Sequence, residues 1–362
     1  MKAKYFALVA AGVLACANPS AAQPAISGAS VASQAVTITG TGFGDHAAFG
    51  GAQPFLNAGW QDFENGAFNG GNMELENSYP RNWTLETSGN RPASRYSITK
   101  TNAVSRLGEF GLRENSGGMN AMNGTLYVSF WIKVSGIEAL GKFFRVYGDT
   151  FDFFVGTGDV NLALRAYSSC GANNKSSCSP PPITVWGTPQ EFEPGRWHRV
   201  DIYIRDGSSG RGDYIGVYLD GGLQWRRSSA LPSKRIALEG SSADERQQWI
   251  PAKFGGNGHT VAVGQMVEGG GRYTFDDVFV DYTWAHVELG DAPTYAASKK
   301  RETQIPLKWS GTQVTAKINA GGFRPGETAY LYVVDAAGVA NPKGYPIVLP
   351  PATSANSGRK PQ

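Results

Sequence analysis

The chain of 362 residues exceeds the usual span of one hydrophobic core, so two domains are expected, and an apolar content of 41% is enough to fill both. With 47 Gly, 20 Pro, 12% aromatic and 17% charged residues, the composition excludes a disordered chain and favours short strands and tight turns over amphipathic helices. The formal net charge of +3 gives no support from bulk charge to a nucleic-acid partner.

Lys2 and Lys4 precede an apolar run from Tyr5 to Ala15, and Ser20, Ala21 and Ala22 stand before Gln23. That is the pattern of a secretory signal over residues 1–22, and its apolar run is too short to span a bilayer. Val13-Leu14-Ala15-Cys16 is also a weak lipoprotein pattern, but cleavage after Ala22 is the better fit. The mature protein is therefore expected to be secreted, periplasmic or on the cell surface, with no transmembrane segment. Cys16 leaves with the signal, so Cys170 and Cys178 remain as one pair in an oxidising compartment and are expected to form a disulfide. With no histidine nearby, the pair makes a poor zinc site.

Residues 24–50 hold the alternating run Val36-Thr37-Ile38-Thr39 and then Gly40, Gly42 and Gly44, the mark of a half-buried strand entering a turn. No helical pattern follows, so this is not a dinucleotide fingerprint. The alternation returns over residues 300–350, at Val314, Lys317 to Asn319 and Tyr330 to Val334, with Arg324-Pro325-Gly326 as a turn between. These two ends resemble the two halves of an IPT/TIG immunoglobulin-like domain, which implies that residues 55–292 are an insertion. The polar tail 351–362 is expected to be disordered.

Inside the insertion, Val128, Phe130, Ile132 and Val134 alternate with Tyr127, Ser129, Trp131 and Lys133, giving one core face and one aromatic, polar face. Further strand patterns run from Phe143 to Tyr147, Asp152 to Val155, Asn161 to Tyr167, Trp197 to Ile204, Tyr214 to Asp220, Thr260 to Val267 and Tyr273 to Val280. So many closely spaced strands predict an all-β, two-sheet sandwich. Ser242 and Glu245 form a capping-box pattern for one short helix through Trp249.

Gly195-Arg196-Trp197-His198-Arg199-Val200, followed by Tyr218-Leu219-Asp220-Gly221, resembles the strands of the laminin-G and concanavalin A-like jelly roll. Phe275-Asp276-Asp277-Val278 and Phe63-Glu64-Asn65-Gly66 resemble its closing and opening strands. The resemblance implies a jelly-roll sandwich, beside a small immunoglobulin-like sandwich formed by the two chain ends. It leaves function open, because this fold carries lectins, hydrolases and lyases alike. By likeness to jelly-roll carbohydrate-binding modules, Glu64, Asp276 and Asp277 are candidates for a structural calcium, though an aspartate pair that ends a turn and bonds local backbone amides is the simpler expectation.

Sugar recognition needs apolar rings to stack on and fixed polar groups for the hydroxyls. The parity opposite to the core offers Tyr127, Trp131, Arg145, Tyr147, Arg165, Tyr167, Trp197, Arg199 and Tyr203 as ligand-binding candidates. Their arginines would favour an acidic polysaccharide if the strands share a sheet, and are plain cross-strand pairs if they do not. A uronate lyase would instead need a base, an acid and a neutraliser. His259, Gln265, Tyr147 and Arg145 are the weak catalytic candidates, while His198, flanked by Val200 and Ile202, is expected to be a core histidine. The paired carboxylates of a jelly-roll hydrolase are not evident; Glu74 and Glu76 sit at a loop edge. The leading expectation is a carbohydrate-binding protein with no required cofactor and a polysaccharide partner. The alternatives are a polysaccharide lyase and a structural surface protein.

Overall fold

A computed structural model describes residues 22–46, 59–64, 66, 74–75, 83–101, 110–111, 125–135, 141–147, 152–157, 164–169, 183–185, 192–205, 214–228, 231–235, 260–267 and 272–351. Residues 1–21 of the expected signal, Cys170 and Cys178, the helix at 242–249, His259 and the tail beyond 351 lie outside the described residues. Every regular element that is described is a β-strand, and all pair antiparallel in three sheets. No helix among these residues is long and apolar enough to cross a membrane.

Two of the sheets make the jelly-roll sandwich. The larger runs, in spatial order, Leu231–Arg235, Gly222–Ser228, Tyr214–Leu219, Trp197–Arg205, Thr125–Ser135, Arg272–Asp281, Ser97–Thr101 and Trp83–Glu86, with Gly59–Gln61 also paired to Arg272–Asp281. The second runs Ile183–Val185, Leu164–Ser169, Asp152–Thr157, Gly141–Tyr147, Thr260–Val267, Phe110–Gly111 and Glu74–Leu75. The alternation expected from sequence holds in the central strands. Val128, Phe130, Ile132 and Val134 are fully buried, as are Val200, Ile202 and Ile204 on the neighbouring strand and Phe144 on the second sheet. Each such side chain contributes about 1.5–3 kcal/mol on leaving water.

The third sheet joins the ends of the chain. Its order is Ala25–Ala32, Ala35–Thr41, Gln313–Lys317, Arg301–Trp309, His286–Gly290, Thr328–Val334 and Tyr345–Val348. Val36 and Ile38 from one end share a core with Val314, Phe323, Leu331 and Val333 from the other. The strand Arg301–Trp309 holds the sheet together. Its first part pairs with His286–Gly290 and its last with Gln313–Lys317, with a register shift between Pro306 and Lys308. Proline belongs at such an irregularity because it has no amide to give a regular ladder. His286–Gly290 lies in this sheet, although the sequence pattern places it before a boundary at 292.

The third sheet covers the outer face of the larger sheet, and the face opposite the jelly-roll core is consequently an interior. Ile305 packs with Trp60, Tyr127, Phe279 and Trp284 across the seam. The indole of Trp284 is anchored there by donating to the carbonyls of Leu126 and Ile204, at 3.2 and 3.0 Å.

Candidate functional site

The expected ligand residues divide between two sheets. Tyr127, Trp131, Trp197, Arg199 and Tyr203 share one face of the larger sheet, with Tyr203 opposite Tyr127, Arg199 opposite Trp131 and Trp197 opposite Lys133. Arg145, Tyr147, Arg165 and Tyr167 belong to the second sheet, where Arg145 and Tyr167 both stand in register with Phe154. The two sets belong to different sheets, so the strands do not share the single sheet on which one common face would depend. Gln265 falls between Val263 and Met266, where the register with Gly141–Tyr147 shifts, and the alternation that would align it with position 259 is broken there.

Tyr127 and Arg199 are corrected from ligand-binding to structural residues, because Tyr127 is 0% and Arg199 2% exposed. Tyr127 donates its hydroxyl to Asp201 at 2.9 Å and stacks on the His286 ring at 4.2 Å. The Arg199 guanidinium bonds Asp201 at 2.8 Å, Ser129 at 3.2 Å, Thr303 at 3.1 Å and the Tyr127 hydroxyl at 2.9 Å, and pairs closely with Glu288. Burial by itself would raise the Glu288 carboxyl, but Arg199 and Arg301 outweigh it and hold the group well below the usual carboxylate range. A charge buried in this way is tolerable only because it is paired and bonded.

A second buried arginine sits farther along the same seam. Arg91 pairs with Asp277 and Glu302 and lies 3.7 Å from Asp276, with its guanidinium 4.2 Å over the Trp131 ring. Trp131 donates its indole N–H to Glu302 at 2.9 Å. Burial, reinforced by Glu302 and opposed by Arg91, pushes Asp277 up to about 7. Burial and the neighbouring Asp277 hold Asp276 well above its ordinary value.

The expected calcium ligands Glu64, Asp276 and Asp277 do not assemble as a ligand set. A cation already stands between the two aspartates, and it is Arg91. Glu64 instead accepts from the Arg95 and Tyr96 amides at 2.8 and 3.3 Å. Among the described residues no group of three or more His, Cys, Asp or Glu could hold a metal. Asp277 has φ 48° where the strand bulges between Asp276 and Phe279, a conformation aspartate tolerates better than most residues. His198 is the core histidine expected: its Nε2 accepts from the Glu193 amide at 3.0 Å, so its Nδ1 carries the proton donated to Asp220 at 2.8 Å.

Three clefts lined by described residues open along the seam. The one of about 590 Å³ is lined by Asp62, Glu64, Asp277, Arg95 and Lys317, but its acids are engaged. Glu64 serves the two amides, Asp277 serves Arg91, and Asp62 accepts from Trp60, the Glu64 amide and Lys317.

A cleft of about 380 Å³ is chemically different. It is walled by Tyr203, Tyr214, Tyr218, Trp284 and Tyr295, with Arg205 and Arg301. Gly216 makes it possible: a Cβ there would lie 2.6 Å from the Tyr214 ring, which crosses the strand at that point. Tyr214 and Tyr218 join hydroxyl to hydroxyl at 2.9 Å, and Trp284 meets Tyr203 and Tyr214 edge to face at 5.5 and 5.4 Å. Arg205 lies 4.4 Å over the Trp284 ring and Arg301 4.5 Å over Tyr295. Burial first, then the neighbouring phenol of Tyr127, holds Tyr203 well above the usual tyrosine value; burial and then Glu288 do the same to Tyr295. These phenols stay protonated, so each keeps an O–H that can donate.

Of this cleft the sequence singles out only Tyr203. Tyr214 and Tyr218 share the parity of Gly216 on one strand, a signal visible in the pattern Tyr214-Ile215-Gly216-Val217-Tyr218. Trp284, Tyr295 and Arg301 come from chain segments with no such signal.

The sequence matches no protein-family model and no curated protein. Among solved structures it is similar to an alginate lyase of family PL-14 from Aplysia kurodai, at 8% identity over 59% of this chain and 91% of that one, with a TM-score of 0.37. It is also similar to a family 131 glycoside hydrolase catalytic domain from Coprinopsis cinerea, at 13% identity over 66% and 94% of the two chains, with a TM-score of 0.31. An endo-1,3-beta-glucanase from Streptomyces sioyaensis matches at 15% identity over 65% and 93%, with a TM-score of 0.29.

Proposed function

We propose that this protein binds a polysaccharide outside the cytoplasm, in the tyrosine cleft at the seam, without transforming it. The observation that carries the reading is the composition of that wall: half-buried Tyr203, Tyr214, Tyr218 and Tyr295 around a guanidinium-braced tryptophan. Rings whose orientation is fixed by neighbours give a pyranose a flat apolar partner, and protonated phenols and guanidinium groups donate to its hydroxyls. Export rests on the leader pattern at 1–22, and the two chain ends are read as one divided IPT/TIG-like unit that closes over the jelly roll.

A β-eliminating lyase would need a phenolate or a neutral imidazole to accept a proton near neutral pH. The elevated phenols of Tyr203 and Tyr295 favour recognition over that chemistry. Retention of the purified protein on immobilised polysaccharides tests the reading. Wild type is expected to be retarded, and Tyr214→Ala to elute with the void. Release of unsaturated uronate products, followed by their ultraviolet absorbance, would overturn the non-catalytic part.

A further inference from the structure

Next to the tyrosine cleft lies a third opening of about 580 Å³, and the two share Gly221 as a wall. Trp131, Trp197, Arg196, Lys299 and Lys300 line it together with Asp220 and Asp291. The junction is held open by the absence of a side chain. Gly221 has φ 75°, and a Cβ there would approach the Arg301 guanidinium to 2.5 Å. Lys299, Lys300 and Arg301 follow one another along the two clefts; Lys300 is paired with Glu327 at 3.1 Å and Arg301 lies 3.8 Å from Glu288, so Lys299 is the member of this run without an ion pair among the described residues.

The acids that line the two clefts are bonded to other groups. Asp201 is bonded to Arg199 and Tyr127, and Asp220 accepts from His198 and the Arg199 amide at 2.8 and 2.9 Å. Asp291 accepts from Ser298 and the Lys299 amide at 3.0 and 2.8 Å. Lys299, by contrast, is exposed and makes no ion pair among the described residues. Trp197 is half-buried, with Lys133 4.8 Å over its ring.

We infer that the two openings form one groove, floored by Gly221, that takes an extended anionic polysaccharide chain. The tyrosine cleft holds one stretch by stacking, and the Trp197 and Lys299 side neutralises carboxylate or sulfate groups on the next. This rests on the saccharide reading of the tyrosine cleft and adds the charge and the minimum length of the ligand. Anionic groups would meet Lys299 at no cost in displaced partners, whereas Arg196 and Lys300 are already paired with Glu193 and Glu327.

The test is titration calorimetry of the full chain with a dimer, a tetramer and a hexamer of a uronic acid, and with neutral gluco-oligosaccharides of the same lengths. Uronate affinity is expected to climb with length and to fall with added salt. Lys299→Glu is expected to weaken the uronate hexamer about fivefold and the dimer less, with Lys299→Gln intermediate. Tyr214→Ala is expected to weaken every length. If neutral and anionic hexamers bind equally and Lys299→Glu changes neither, the anionic groove is overturned and the tyrosine cleft stands. If no saccharide of any length or charge binds, both readings fall.

Discussion

Two buried arginines hold the same seam with opposite electrostatic balance. Around Arg199, a second guanidinium from Arg301 stands near Glu288, and the Glu288 carboxyl is held firmly ionised. Around Arg91, three carboxylates share one cation, and the aspartates there are pushed upward instead. A buried pair with enough positive charge is insensitive to pH near neutrality. A pair with surplus acid relieves itself by taking up a proton.

The sharpest way to break this comparison is to remove each cation in turn. Arg199→Met strands Glu288 and Asp201 in the interior and is expected to cost about 3–5 kcal/mol by chemical denaturation at neutral pH. Arg91→Met is expected to cost about 1–3 kcal/mol, shrinking in mild acid because its acids accept protons readily. Equal losses at both sites, unchanged between neutral and mildly acidic buffer, would refute the distinction.

The pH dependence of the wild type sharpens it further. Asp277 has an ordinary value of 3.8 and a folded value of about 7. An acid raised on folding binds a proton more tightly in the folded state, so its contribution is complete below 3.8 and is lost as pH rises to 7. Glu288 works the other way: its contribution is present above its ordinary 4.5 and is lost as pH falls through its lower folded value. Asp277→Asn is expected to flatten the loss of stability between pH 4 and 7 and to gain about 1–2 kcal/mol at neutral pH. Asparagine also accepts the left-handed backbone that position requires. A slope unchanged by the substitution would place the titration elsewhere.

At the small end, Lys300 and Glu327 pair at 3.1 Å near the surface of the third sheet. Glu327→Ala is expected to cost about 0.5 kcal/mol or less, a thermal shift that fades with added salt. A loss as large as that of Arg91→Met would mean that solvent screening does not separate surface from seam.

The jelly-roll core was legible because apolar residues alternate along its strands, as at Val128, Phe130, Ile132 and Val134. The seam was not, for two physical reasons. Alternation distinguishes two faces of a strand but does not say what covers the second, and Tyr127, Trp131 and Arg199 have the same composition whether they meet a sugar or another sheet. The covering strand also hides itself. Arg301-Glu302-Thr303-Gln304 carries no apolar residue, yet all four are buried, so a pattern tuned to apolar side chains passes over it. Its burial is supported by polar partners, with Glu302 on Trp131 and the Gly322 amide, and Gln304 on Asn319. The tyrosine cleft was missed for a related cause, since its walls come from segments that meet only once the ends close over the sandwich.

That closure dictates an order of events during synthesis. Thr37 and Thr315 meet hydroxyl to hydroxyl across 278 positions of sequence, and Val36 and Ile38 have no core until strands near the other end arrive. Because the chain emerges from its N-terminal end, the first hairpin, Ala25–Ala32 with Ala35–Thr41, keeps one edge open until Gln313–Lys317 arrives. Closing so long a loop from an unfolded chain is slow, but a prefolded jelly roll shortens the effective distance by bringing its entry and exit together. The last strands then act as a latch, shutting the open edge and completing the seam in the same step.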